Sequence, residues 1–173
     1  MFDISSRLKK LPPYLFAEID RKKKRLVSEG VNIIDFGIGD PDLPTPVNII
    51  EAMKKGVENP AFHRYPIGKG AHFFRKAISD FYKKYCDVEL NPDEEVVVLL
   101  GSKEGIAHLP WAFLNPGDIS LVPEPGYPVY HIGTILAEGQ PYFMPLKVEN
   151  KFLPELNKIP QDILNKARIL FLN

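Results

Sequence analysis

Apolar positions recur at helical spacing in the first half of the chain and bunch into short runs in the second half. Leu15, Ile19 and Leu26 share one helical face after Pro12-Pro13, which predicts a helix that stops near Gly30. Val31 to Phe36 reads as a short apolar strand. Thr45 followed by Pro46 predicts a helix opening, N-cap then first turn, with Ile49, Ile50, Met53 and Val57 on its buried side. A further helix is expected from about Ala71 to Tyr85, with Phe74, Ala77, Ile78, Phe81 and Tyr85 facing inward. Beyond Asn91-Pro92 the runs Val96–Leu100, Ile119–Val122, Tyr142–Leu146 and Ile169–Leu172 read as strands. Helices are expected between them: one up to about Leu114, one from Pro125 to about Ala137 and one over Pro160 to Lys166. Alternation of strand and helix predicts an α/β fold with a largely parallel sheet. The last run is wholly apolar, which calls for cover on both faces and neighbours on both edges, yet the sequence stops at Asn173. The expectation is an N-terminal part of something longer.

Composition changes this picture little. The 17 prolines are dispersed among apolar segments and read as turns and caps. Lys plus Arg and Asp plus Glu are 22 each, so the net charge of zero excludes a nucleic-acid footprint built on overall basicity and an acidic disordered tail. The Lys22-Lys23-Lys24-Arg25 run falls inside the first long helix and reads as a solvated face. No apolar run reaches the roughly 20 residues of a membrane span, and no signal-peptide core follows the charged N-terminus. The expected compartment is the cytoplasm. A single cysteine, Cys86, excludes an internal disulfide framework or a multi-cysteine metal cluster and reads as a small buried hydrophobe at a helix end. His63, His72, His108 and His131 show no metal-ligand spacing, no Gly-x-Ser-x-Gly elbow exists, and no carboxylate pair stands out for acid–base work.

Three loops carry candidate chemistry. Gly101-Ser102-Lys103-Glu104-Gly105 joins an apolar run to a helix, and free amides, the helix dipole, a hydroxyl and an ammonium there make an anion corner. It is neither a P-loop nor Gly-x-Gly-x-x-Gly, and a Gly-Ser turn also serves geometry alone. Pro123-Glu124-Pro125-Gly126-Tyr127-Pro128-Val129-Tyr130 lies at the same sheet edge, where a tyrosine held by prolines can stack on a flat ring or simply join the core. His63-Arg64-Tyr65-Pro66-Ile67-Gly68-Lys69-Gly70 is a tight or mobile loop that offers the Tyr65 hydroxyl to a phosphate.

The series Gly37-Ile38-Gly39-Asp40-Pro41-Asp42, Pro44-Thr45-Pro46, Tyr65, Gly101 to Gly105, Asn115-Pro116-Gly117-Asp118 and Pro125 to Tyr130 resembles the class I/II aminotransferases, fold type I of the pyridoxal-phosphate enzymes. Within that family Gly101 to His108, Pro125 to Tyr130 and the arm Leu11 to Phe16 are most similar to the LL-diaminopimelate aminotransferases. The resemblance implies an arm and small-domain segment over 1–45 and the N-terminal part of a cofactor-binding large domain over 46–173. It implies pyridoxal 5'-phosphate as cofactor, amino-acid and 2-oxo-acid substrates, and a homodimer. By the same resemblance Ser102 and Lys103 hold the cofactor phosphate, Lys103 also reaches substrate, and Tyr127 stacks on the pyridine ring. Tyr65 would reach the phosphate in the partner's site, Gly39 would admit the substrate carboxylate, and Tyr14 would touch substrate in the other subunit.

The family's Schiff-base lysine, ring-nitrogen aspartate and carboxylate arginine lie beyond Asn173, so no catalytic residue is assigned within 1–173 and these residues alone are expected to be inactive. Lys103 stands at the phosphate end and does not take the Schiff-base role. Where some diaminopimelate enzymes carry a Glu, Ile67-Gly68-Lys69-Gly70 has no acid, and Lys69 would suit an acidic substrate. Aspartate or another amino acid, a β-lyase of the same fold, and a non-catalytic truncated product therefore stay open beside LL-diaminopimelate.

Overall fold

The computed structural model describes residues 2–37, 39, 41–66 and 68–173. They fall into two compact units, Met1–Pro13 with Leu99–Asn173, and Tyr14–Val98.

The first unit is built on a three-stranded sheet in the order β2-β1-β3, where β1 is Ile119–Glu124, β2 Gln140–Pro145 and β3 Ala167–Leu170. Both pairings are parallel, Ile119 lying opposite Gln140 on one side and Ala167 on the other, as the strand–helix alternation predicts. Two parallel neighbours leave the central strand no solvent edge, so β1 is buried from Ile119 to Pro123. Side-chain alternation along β1 divides the core. Ile119 and Leu121 meet Met144 and Ile159 on one side, while Val122 meets Tyr130 and Phe171 on the other. Helices α5 (Ser102–Phe113) and α6 (Val129–Leu136) pack on each other, and α6 also packs on β1. The Asn115-to-Asp118 turn feeds β1. Asp118 accepts the Asn115 amide at 2.8 Å, the main reason its carboxyl is held below the usual range, and Arg168 at the start of β3 lies 3.5 Å from it. A short α1 (Ser6–Lys9) is capped by the Ser5 hydroxyl, and Arg7 pairs with Glu138 at 3.1 Å. Between β2 and β3, α7 (Gln161–Lys166) falls where Pro160 predicts a short helix.

The final strand differs from expectation. β3 pairs with β1 alone, its residues alternate between half-buried and exposed, and only the following Phe171 is buried. An apolar run demands cover, but the cover must come from other segments, and none of the described ones lies on that edge.

The second unit holds α2 (Leu15–Ser28), α3 (Val47–Glu58) and α4 (His72–Cys86). α2 ends as Gly30 predicts. Gly30, at φ +82°, donates to Val27 O and Val31 donates to Leu26 O, which together satisfy the last-turn carbonyls. Lys23 on α2 pairs with Asp35 at 2.9 Å, which holds the segment after the helix, and Lys22, Lys24 and Arg25 face solvent.

Val31–Phe36 and Val96–Leu100 form no strand. A strand exists only through a partner's hydrogen bonds, and Val98 N–H to Lys69 O at 3.0 Å is the one backbone bond across described segments that Val96–Leu100 makes. The N-cap of α3 is Pro46, at ψ 140°, and Thr45 makes no cap bond. Ile49, Ile50, Met53 and Val57 are exposed, as are Phe74, Ala77, Phe81 and Tyr85, with Ile78 half-buried. Periodicity identifies an apolar face correctly, but it does not supply the surface that covers it. Cys86 is likewise exposed rather than buried.

Candidate functional site

The site begins with one backbone conformation. Gly101 stands at φ +86° and ψ 154°, a region that glycine alone occupies without strain, and it is the N-cap of α5. It has no side chain to cap the helix; Glu104 N–H donates to its carbonyl at 3.2 Å, and the Ser102 and Lys103 amides ahead of it get no side-chain cap. Glu104, the first-turn acid, is turned backward: its carboxylate accepts the Leu100 amide at 2.7 Å. Ser102 and Lys103 are exposed. The corner is therefore a set of donors (amides, a hydroxyl and an ammonium), and the acid in the same helical turn is engaged with the Leu100 amide. Sequence spacing did not single out Glu104, although a Glu three residues after a helix N-cap is a recognisable capping signal.

Across this corner lies Tyr127. The Lys103 Nζ is 5.8 Å from its ring centroid. Tyr127 is half-buried and packs against the Val122, Tyr130 and Phe171 cluster, meeting the Tyr130 ring edge-on at 5.8 Å and 85°. The chain reaches it through a cis Glu124–Pro125 peptide. Farther into α6, burial holds the His131 imidazole below its usual range, with Glu124 acting weakly the other way.

The structure thus brings Lys103 and Tyr127 together from two loops 24 positions apart in a single unit, with Ser102 beside Lys103. Tyr14, Gly39 and Tyr65 lie in the Tyr14–Val98 unit. Tyr14 is the N-cap of α2, with its ring 5.7 Å from Phe16. Gly39 is exposed and a Cβ there would meet nothing within 4 Å, while its neighbours Ile38 and Asp40 lie outside the described residues. Tyr65 is 89% exposed, so its hydroxyl is free to meet something outside its own unit. Of the loop after it, Ile67 lies outside the described residues. Lys69 is exposed, and its ammonium donates to the Asp93 carbonyl. Asp93 also accepts from Arg75 at 3.0 Å and lies 2.9 Å from His72 Nδ1, and these two neighbours hold its carboxyl below the usual range.

The family model for aminotransferase class I and II matches residues 31–173. The chain belongs to the class I and II aminotransferases. An LL-diaminopimelate aminotransferase of Aquifex aeolicus is 59% identical over 173 residues, which is 100% of this chain and 45% of that protein. One of Halothermothrix orenii is 55% identical over 169 residues, 98% of this chain and 43% of that protein. Among solved structures, apo BacF from Bacillus subtilis superposes with a TM-score of 0.90 at 43% identity, covering 100% of this chain and 44% of that one. The chain therefore spans under half the length of the curated aminotransferases it matches. Among the described residues no helix is long and apolar enough to cross a membrane.

Family membership implies pyridoxal 5'-phosphate, and the donor set fits it. A dianionic phosphate suits open first-turn amides, a hydroxyl and an ammonium. A flat heteroaromatic ring suits a half-buried tyrosine already supported from behind.

Proposed function

We propose that the protein is a pyridoxal-phosphate-dependent aminotransferase that exchanges the amino group of LL-diaminopimelate with 2-oxoglutarate, and that these 173 residues are its N-terminal part. The observation that carries the reading is the Gly101–Lys103 donor corner set against Tyr127, in a chain 59% identical throughout to an LL-diaminopimelate aminotransferase. Bound pyridoxal 5'-phosphate supplies the electron sink that amino-group exchange requires. The chain's own part is to hold and orient. Ser102 and Lys103 bind the phosphate, and Tyr127 presents its ring to the pyridine. Lys103 also reaches toward substrate.

Gly39 admits the substrate carboxylate to the backbone, and Tyr14 borders the substrate of a second copy. Tyr65 reaches the phosphate of a homodimeric partner, a reading its 89% exposure supports. Division of the whole protein at 45/46 into an arm with small-domain segment and a large domain, and residence in the cytoplasm, belong to the same proposal.

The test has two parts. Reading the gene beyond the Asn173 codon is expected to show the frame continuing into an Asn-Pro-Thr-Gly loop. The full-length protein, given pyridoxal 5'-phosphate, LL-diaminopimelate and 2-oxoglutarate, is expected to form glutamate, while the 173 residues alone form none. Transfer from aspartate but not from LL-diaminopimelate overturns the substrate. A stop codon after Asn173 together with no transfer from any amino acid overturns the activity, and leaves a non-catalytic product.

A further inference from the structure

Tyr130 is held from several sides in the first unit, and none of the roles assigned above uses it. Its ring is 6% exposed and stacks on Phe171 at 4.6 Å and 15°. Its hydroxyl donates to Asn173 Oδ1 at 2.9 Å, across 43 residues of sequence. Its amide donates to Tyr127 O at 3.1 Å, and its carbonyl accepts the Thr134 hydroxyl at 2.8 Å. Phe171 in turn is tied to the central strand, its amide donating to Leu121 O at 2.9 Å. Two partners of Tyr130 are not buried: Asn173 is exposed, and Tyr127 rests its half-buried ring edge-on against it. A buried tyrosine needs a partner for its hydroxyl, and any nearby carbonyl would satisfy that need. Here the partner is the side chain of Asn173, three residues past the carboxyl end of β3, the end of a parallel strand beyond which ligands bind in such sheets.

We propose that Tyr130 is a positioning residue: its hydroxyl bond to Asn173 and its stack on Phe171 fix the seat of the Tyr127 ring, and so set how well the site holds the flat ring of its cofactor without affecting the phosphate corner. This rests on the proposed stacking role of Tyr127. The two halves of the cofactor are held by different elements. Phosphate donors come from Gly101 to Lys103 at the head of α5, while the ring contact comes from the loop before α6. A side chain acting only through Tyr127 must therefore weaken ring binding and spare phosphate binding.

Full-length apoprotein is titrated with two probes, inorganic phosphate and pyridoxine 5'-phosphate, which carries ring and phosphate but no aldehyde. Tyr130→Phe keeps the ring volume and removes only the hydroxyl. Expected is a roughly three- to tenfold rise in the dissociation constant for pyridoxine 5'-phosphate, the ordinary range for one lost hydrogen bond, with inorganic phosphate unchanged within about twofold. Asn173→Ala is expected to reproduce that pattern, and the double variant to be no weaker than either single one, because both remove the same bond. Ser102→Ala is the opposite control and weakens both probes. Pyridoxine 5'-phosphate affinity unchanged in Tyr130→Phe overturns the inference. So does a parallel loss of both probes, which would mark Tyr130 as an ordinary core residue. A wild-type protein that binds inorganic phosphate but no better when the ring is attached overturns the stacking role of Tyr127 itself, and this is seen before any variant is made.

Discussion

Gly101 offers the most direct test of how the site is built. At φ +86° and ψ 154° it lies where a Cβ collides with its own backbone, and this conformation costs any other residue about 1–3 kcal/mol. A Cβ added there would meet no other atom within 4 Å, so Gly101→Ala creates no packing clash and the whole cost is conformational. The protein can meet that cost in two ways. If the corner keeps its shape, the full-length protein loses about 1–3 kcal/mol of stability, read as a lower denaturant midpoint. If Gly101 instead relaxes to negative φ, the first turn of α5 swings and the amides of Ser102 and Lys103 lose their common aim. Phosphate affinity then falls about five- to 150-fold, the same free energy expressed as binding. Denaturant unfolding and inorganic-phosphate titration on one preparation separate the two routes. A Gly101→Ala protein that matches wild type in both, within about 0.5 kcal/mol and twofold, refutes the claim that this left-handed corner shapes the anion site.

Three further outcomes are expected. Lys103→Met keeps the aliphatic stem and removes the ammonium beside Tyr127, which should lower phosphate affinity about tenfold and flatten its salt dependence; equal affinity at low salt would remove Lys103 from the site. Gly70→Ala places a Cβ 2.5 Å from Val98 Cγ2 at φ +95°, so Val98 must move, which strains the hydrogen bond from its amide to Lys69 O. Hydrogen exchange should then show lost protection at the Val98 amide and a cost of roughly 2 kcal/mol or more, and retained protection would count against the packing described. His131 carries a depressed imidazole pKa, caused first by burial. Above its ordinary value of 6.5 both folded and unfolded forms are neutral and stability is full; as pH falls below 6.5 the unfolded chain takes up the proton first, and stability is lost down through the folded value. His131→Gln should flatten the unfolding midpoint between about pH 7 and 5, and an unaltered slope would show that another group carries it.

The legibility of the second half of the chain has a local cause. Pro116-Gly117 and Pro128 punctuate it at turns, and Ile119 to Val122 is a run whose burial follows from central placement in a parallel sheet. Gly101-Ser102-Lys103 could be read as an anion corner because a helix start needs only neighbours in sequence to expose its amides. Tyr127 could be marked as a ring held by prolines, but whether that ring stacked on a ligand or joined the core stayed open. The bond between Tyr130 and Asn173 carried no signal, since a hydroxyl bond across 43 residues has no spacing to read.

The first half shows where local reading stops. The helices over Leu15–Ser28 and His72–Cys86 appear where periodicity places them, because helical hydrogen bonds close within the segment itself. The Val31–Phe36 and Val96–Leu100 strands do not appear, because a strand's bonds must be closed by another segment, and burial of the α3 and α4 faces likewise depends on surfaces outside the helix. Sequence alone determined the helix positions, the turns, the parallel α/β class and the donor-rich corner at Gly101, all properties settled within a few residues. Tertiary structure alone decided which apolar runs became strands, which helix faces found cover, that the Lys69 ammonium donates to the Asp93 carbonyl, and that Lys103 meets Tyr127. Each of those requires two distant segments to arrive at the same place, and their free energy exists only once they have.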